Sequence, residues 1–227
     1  PRRRLGALPG LVGVVERRVP FGVVGVIAPW NYPLTLAISD AIPAMMAGNC
    51  VVVKPDVQTT LSALWIAELL QRAGLPPGVF TVVAGEGSVV GPLVIDRSDF
   101  VMFTGSTAVG RRVAARCGEL LIGCSMELGG KNAMIVRGDA DIAAAAALAC
   151  RASFSNSGQL CISMERIYVD QSIVDEFLDA FARRTQALRM SAQIGWGADV
   201  GSLISQRQRD RVAAHVENAV TLGADVI

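Results

Sequence analysis

Five short apolar runs, the first four each followed by a stretch with helical spacing, constrain this chain more than any other feature. The runs are Val23 to Ile27, Cys50 to Lys54, Val79 to Val83, Phe100 to Thr104 and Leu120 to Met126. Strands with continuous apolar character are covered on both faces, and strands alternating with helices at this spacing form βαβ units. The expected fold is therefore α/β, a doubly wound, Rossmann-like parallel sheet. Between the strands, Leu34 to Met46 reads as a helix bent or ended by Pro43. Thr59 to Ala73 is a helix closed by Gly74, a short helix ends near Ile95, and Ala108 to Cys117 forms another.

The rhythm changes after Gly130, where we place a domain boundary. Asp139-Ala140-Asp141 supplies an N-cap and acidic first turn for an Ala-rich helix reaching Phe154. A polar Ser/Asn/Gly loop, a strand at Arg166 to Val169 and an amphipathic helix from Ser172 to Leu188 follow.

Composition excludes several classes of partner and compartment. With 227 residues of which 52% are apolar, the chain can bury a sizeable core, and its net charge of +1 makes nucleic acid and membrane surface poor partners. Five cysteines at irregular spacing do not form a disulfide framework, and neither a signal segment nor a membrane-spanning run is evident, so a cytoplasmic location is expected. No Cys/His/Asp spacing matches a metal site.

Cys161 is the candidate nucleophile. It lies in Asn156-Ser157-Gly158-Gln159-Leu160-Cys161-Ile162-Ser163, a glycine-containing polar loop able to expose sulfur and aim backbone N–H groups at it. An arbitrary cysteine is more often a core residue, and Cys50, Cys117, Cys124 and Cys150 are read that way. Glu127, at the end of a strand, faces the crevice where α/β sheets bind ligands and could serve as a general base; a solvated loop acid is the plainer reading. Asn31, after Ala28-Pro29-Trp30, could hold an oxyanion with its amide or could be a turn asparagine. Thr104-Gly105-Ser106 joins a strand to a helix start suited to phosphate, although it is not a Gly-x-Gly-x-x-Gly fingerprint. Lys54, at the end of the second strand, could reach a ribose or phosphate from the sheet edge, although alone it reads as a surface lysine; His215, the single histidine, reads as a helix-surface residue.

Taken in order, these segments resemble the aldehyde dehydrogenase superfamily. The resemblance rests on Pro20-Phe21-Gly22-Val23-Val24-Gly25-Val26-Ile27-Ala28-Pro29-Trp30-Asn31-Tyr32-Pro33-Leu34, Lys54-Pro55, Phe103-Thr104-Gly105-Ser106, Glu127-Leu128-Gly129-Gly130-Lys131 and Gly158-Gln159-Leu160-Cys161. Less generic stretches, among them Lys54-Pro55-Asp56-Val57-Gln58-Thr59 and Cys161-Ile162-Ser163-Met164-Glu165-Arg166-Ile167-Tyr168, are similar to the actinobacterial type of succinate-semialdehyde dehydrogenase.

The resemblance implies a chemistry. Cys161 attacks an aldehyde, the Asn31 amide and the Cys161 N–H hold the oxyanion, and Glu127 activates the water that releases a carboxylic acid from the thioester. It implies NAD or NADP as cofactor, lined by Ile27, Ala28, Pro29, Trp30, Lys54, Gly85, Thr104, Gly105, Ser106, Val109 and Leu128. NADP is slightly favoured, because Val57 stands where many NAD-preferring relatives carry a glutamate. Ser39 stands where better-known succinate-semialdehyde enzymes place a carboxylate-gripping arginine, so a substrate carboxylate must be held elsewhere. A coenzyme-A-acylating relative and a non-catalytic structural relative are the alternatives; Glu127 argues against the first, and the intact set Asn31, Glu127, Cys161 against the second.

The resemblance further implies a central fragment of a longer enzyme, itself a homodimer or homotetramer. Residues 1–17 then belong to a bridging, oligomerising segment, 18–130 to an incomplete NAD(P)-binding domain, and 131–227 to the first part of a catalytic domain. The fragment alone is expected to be inactive and prone to aggregate.

Overall fold

The computed structural model describes residues 2–5 and 13–226. The chain divides into two compact units, Pro1–Leu128 and Gly129–Ile227. The bridging segment expected over residues 1–17 falls in part on residues 1 and 6–12, outside the described residues.

In the first unit, β1 (Arg2–Leu5) and β2 (Gly13–Glu16) form an antiparallel pair that the sequence reading did not anticipate. The chain then alternates through β3 (Val23–Ile27), α1 (Pro33–Ile38), α2 (Ala41–Met46), β4 (Cys50–Lys54), α3 (Thr60–Arg72) and β5 (Phe80–Val82). It continues through α4 (Gly87–Ile95), β6 (Phe100–Thr104), α5 (Thr107–Leu120) and β7 (Gly123–Glu127). The last five strands make one parallel sheet in the order β5-β4-β3-β6-β7. From β3 the chain winds outward through β4 and β5, then returns to place β6 and β7 on the other side. The strand order therefore reverses between β3 and β6, the position where doubly wound sheets open a crevice at their carboxyl edge.

Helices on the sheet explain the apolar runs. Val24, Val26, Val51 and Val53 are almost completely buried, and Ala37, Ala41, Ala63 and Ile66 on α1, α2 and α3 close over them. Each such valine contributes roughly 1.5–3 kcal/mol when fully buried. On the other side of the switch point, Phe103 packs with Val113 and Cys117 of α5.

The single helix expected over Leu34–Met46 is two, broken at Ser39 and Asp40. Pro43 lies in the first turn of α2, where its missing N–H costs nothing. Its ring would collide with the Ser39 carbonyl if α1 ran on, so the break falls four residues ahead of the proline. Cys50, read as a core cysteine, is exposed at the amino end of β4.

In the second unit, β8 (Asn132–Val136) and β9 (Met164–Val169) pair in parallel, and α6 (Ile142–Phe154), α7 (Val174–Gln186) and α8 (Gln206–Thr221) complete the elements. β8 was not anticipated; five residues just after Gly129-Gly130-Lys131 carry too little periodicity to announce a strand. The Asp141 side chain caps α6 by accepting the Ala144 N–H at 3.0 Å. Ala146 and Ala149 let that helix lie close to Val136 and Phe177, and Phe154, Phe181 and Phe177 stack in series with centroids 6.2 and 5.9 Å apart. His215 lies exposed on α8, a helix in which no described side chain is buried. Among the described residues, no helix is long and apolar enough to cross a membrane, and no three His, Cys, Asp or Glu side chains gather to hold a metal.

Candidate functional site

Strand register lines up the candidate residues of the first unit. Ile27 pairs with Lys54 on one side and Phe103 on the other, and Thr104 pairs with Glu127. Two backbone hydrogen bonds continue the ladder past the strand ends: Ala28 N–H donates to Lys54 C=O at 3.0 Å, and Gly105 N–H to Glu127 C=O at 3.0 Å. Lys54, Ile27-Ala28-Pro29-Trp30-Asn31, Thr104-Gly105-Ser106 and Glu127-Leu128 therefore follow one another along the carboxyl edge. Three inter-strand gaps separate Lys54 from Glu127, roughly 14 Å at about 4.8 Å each. Gly85 follows β5 on the same edge with φ +145°, and a Cβ there would stand 2.5 Å from Val90 Cγ2, so both backbone and space demand glycine.

The two ends of the row differ in charge and exposure. Lys54 is 5% exposed, not the surface lysine its sequence context indicated. Burial lowers its pKa, while the charges of Asp56 and Glu86 draw it back up. Glu127 is exposed at the end of β7. In the middle, Ser106 caps α5 by accepting the Val109 N–H at 3.4 Å, leaving the first N–H groups of a fourteen-residue helix at the crevice. Trp30 and Asn31 lie on the opposite flank of the switch point. The set can receive an elongated ligand bearing an anionic segment.

Sequence reading missed Asp40. It sits half-buried at the break between α1 and α2, and its pKa is raised, first by burial and then by the charge of Glu127. No sequence signal announced this pairing, because it depends on α1 folding back over the sheet.

The second unit carries Cys161, which is exposed. The three residues Asn156 (φ 52°), Ser157 (φ 58°) and Gly158 (φ 72°) form a left-handed turn just ahead of it. Left-handed residues other than glycine cost about 1–2 kcal/mol each, and such strain gathers at functional sites. Hydrogen bonds hold the turn: Ser157 Oγ donates to Gly201 C=O at 2.9 Å, Gln159 Nε2 to Asn156 C=O at 3.0 Å, and Ile204 N–H to Gln159 Oε1 at 2.9 Å. Beyond it, Ser163 is 5% exposed, and its hydroxyl lies 3.2 and 3.0 Å from the carbonyl oxygens of Ala152 and Ser153 at the end of α6. Among the described residues nothing accepts the Cys161 N–H. The arrangement presents a thiol beside an uncommitted backbone donor, which suits attack on a carbonyl.

The model of the aldehyde dehydrogenase family matches residues 9–227, and the chain belongs to that family. Among its relatives, a Mycolicibacterium smegmatis protein named "putative succinate-semialdehyde dehydrogenase, NADP(+)" is 55% identical over 227 residues, covering 100% of this chain and 44% of the relative. The phenylacetaldehyde dehydrogenase of Pseudomonas fluorescens is 40% identical over 213 residues, covering 93% of this chain and 42% of that protein. A crystal structure of a Mycobacterium tuberculosis aldehyde dehydrogenase complexed with NAD+ matches with a TM-score of 0.94 at 37% identity, over 100% of this chain and 46% of that one. The chain thus has the aldehyde dehydrogenase fold and spans less than half the length of these relatives.

Proposed function

We propose that the intact protein containing this chain oxidises an aldehyde to the carboxylic acid, with NAD or NADP as hydride acceptor and Cys161 as the nucleophile. The observation that carries this reading is the exposed Cys161 just after a strained turn, with a backbone N–H that no described residue accepts, in a member of the aldehyde dehydrogenase family. In this reading the Cys161 thiolate adds to the carbonyl carbon. The resulting oxyanion is held by the Cys161 N–H and the Asn31 amide. When bound, the cofactor supplies the two-electron acceptor that leaves a thioester on sulfur. Glu127 takes a proton from the water that hydrolyses it, and acid leaves.

The carboxyl-edge row fits such a dinucleotide. It offers a buried cation at Lys54, helix N–H groups after Ser106, and Gly85 where no side chain is tolerated. Lys54 and Trp30 would hold the adenosine side, and Thr104, Gly105 and Ser106 the pyrophosphate and nicotinamide. Ile27, Ala28, Pro29, Val109 and Leu128 would form the walls.

Succinic semialdehyde is the substrate we favour, supported by the name of the M. smegmatis relative. Ser39, exposed at the end of α1, brings a hydroxyl rather than a guanidinium, so another group must take the substrate carboxylate. The test is cofactor reduction by the intact protein with succinic semialdehyde against a panel of aliphatic and aromatic aldehydes, beside Cys161→Ala. Turnover concentrated on succinic semialdehyde and lost in Cys161→Ala supports both chemistry and substrate. Cys161-dependent turnover of other aldehydes discards the substrate, and no turnover with any aldehyde discards the function.

A further inference from the structure

The peptide groups on both sides of Cys161 are held by hydrogen bonds that no catalytic role requires. The Asn132 side-chain amide, at the start of β8, donates to the Cys161 carbonyl at 2.6 Å and to the Ser163 carbonyl at 2.9 Å. One NH2 group has two hydrogens, and both are used. The partners lie 29 and 31 residues away in sequence. The β8–β9 ladder shifts register between Asn132 and Ala133, an irregularity of the kind that re-aims a side chain. Gly130 leaves the room: a Cβ there would stand 3.2 Å from Asn132 Oδ1 and 3.5 Å from the Cys161 carbonyl oxygen.

A second hydrogen bond completes the frame. Ser163 N–H donates to Leu160 C=O at 3.0 Å. The peptide from Leu160 to Cys161 is trans, so its carbonyl and its N–H point in opposite directions. Fixing the Leu160 carbonyl thereby fixes the Cys161 N–H. Asn132 holds the following peptide through the Cys161 carbonyl, and it also holds the carbonyl of Ser163, the residue whose N–H anchors Leu160.

We propose that Asn132 is a positioning residue: its amide clamps the carbonyls of Cys161 and Ser163 and so aims the Cys161 N–H at the oxygen of the substrate carbonyl. This rests on the reading of Cys161 as the nucleophile. Asn132 touches no reacting atom. Its effect passes through the backbone, and it acts on the oxyanion that forms when carbon is attacked, not on the sulfur.

That distinction provides the test. Alkylation of Cys161 by iodoacetamide displaces iodide and develops no oxyanion on a carbonyl, whereas aldehyde oxidation does. In the intact protein, Asn132→Ala is expected to lower kcat for aldehyde oxidation roughly 10- to 100-fold, the scale of a misplaced catalytic group. Its rate of alkylation at fixed pH should stay within about twofold of the parent, and its KM for cofactor should change little. Asn132→Ser, which keeps one short donor, should fall between parent and Asn132→Ala. It also serves as the informative variant if the alanine form does not fold.

A kcat within about twofold of the parent in the folded variants overturns the proposal. Equal losses of turnover and alkylation overturn it too, because the clamp would then only support the loop. Cys161→Ala gives the separate control: activity that survives it sinks the nucleophile reading itself, whatever Asn132 does.

Discussion

Lys54 lies against Gly87, near enough that a Cβ added to the glycine would stand 3.6 Å from the Lys54 ammonium nitrogen. Gly87 opens α4, so the ammonium sits at a helix N-terminus, where a cation is disfavoured, and it is buried as well. Two costs borne by one side chain point to a bound anion that offsets them, and a 2′-phosphate on the cofactor ribose would meet both charge and helix end. Val57, 44% exposed where a glutamate would repel that phosphate, leaves the way open. Lys54→Met should therefore raise Tm while reducing kcat/KM for NADP about tenfold more than for NAD, the factor expected from about 1.4 kcal/mol. Steady-state kinetics with both cofactors check it, and a strong NAD preference in the parent would refute it.

Glu127 is expected to act after the first chemical step. Glu127→Gln should reduce about one equivalent of cofactor per Cys161 in a burst and then stall, with steady turnover lowered roughly 10²- to 10⁴-fold. Stopped-flow absorbance resolves the burst, and added hydroxylamine, a nucleophile that needs no base, should restart turnover. Loss of the burst itself would assign Glu127 to an earlier step.

Cys117 and Cys124 predict a pH effect on stability. Burial, then the neighbouring Cys124, pushes the Cys117 thiol from 9.0 up to about 11. The folded chain thus holds a proton that the unfolded chain releases across this interval. The contribution is fully present below the unfolded value and is lost as pH rises through about 11. Urea midpoints measured at several pH values should fall more steeply across this window in the parent than in Cys117→Ala. Identical slopes would show that the thiol does not control the effect.

Gly25 sets how closely β3 and α4 approach. A Cβ at this position would stand 2.4 Å from Ser98 Oγ and 3.0 Å from Val94 Cγ1. The Ser98 hydroxyl is committed, donating to the Val94 carbonyl at 2.7 Å, so it cannot simply turn away. Gly25→Ala should cost about 1–3 kcal/mol by overpacking. That corresponds to a Tm lower by roughly 2–4 °C for each kcal/mol. Unchanged thermal unfolding would mean that the strand and helix separate freely here.

Much of the architecture is local information. The alternation from Val23 to Glu127 contains β3 to β7 and the helices between them, because β-branched runs and helical spacing are properties of neighbours in sequence. The polar loop around Cys161, the cap at Asp141 and the strand-terminal positions of Lys54 and Glu127 were legible for the same reason, and the family followed from the motifs taken in order. Only tertiary structure decided which of these residues act on one another. Strand register aligned Lys54, Asn31, Ser106 and Glu127 along one edge, and helices packed over β4 buried the lysine. The return of α1 brought Asp40 within reach of the Glu127 charge. Where the β8–β9 pairing shifts register, Asn132 meets carbonyls some thirty residues away. Periodicity encodes which face a side chain occupies, but not what lies opposite. That depends on pairing and packing between segments distant in the chain.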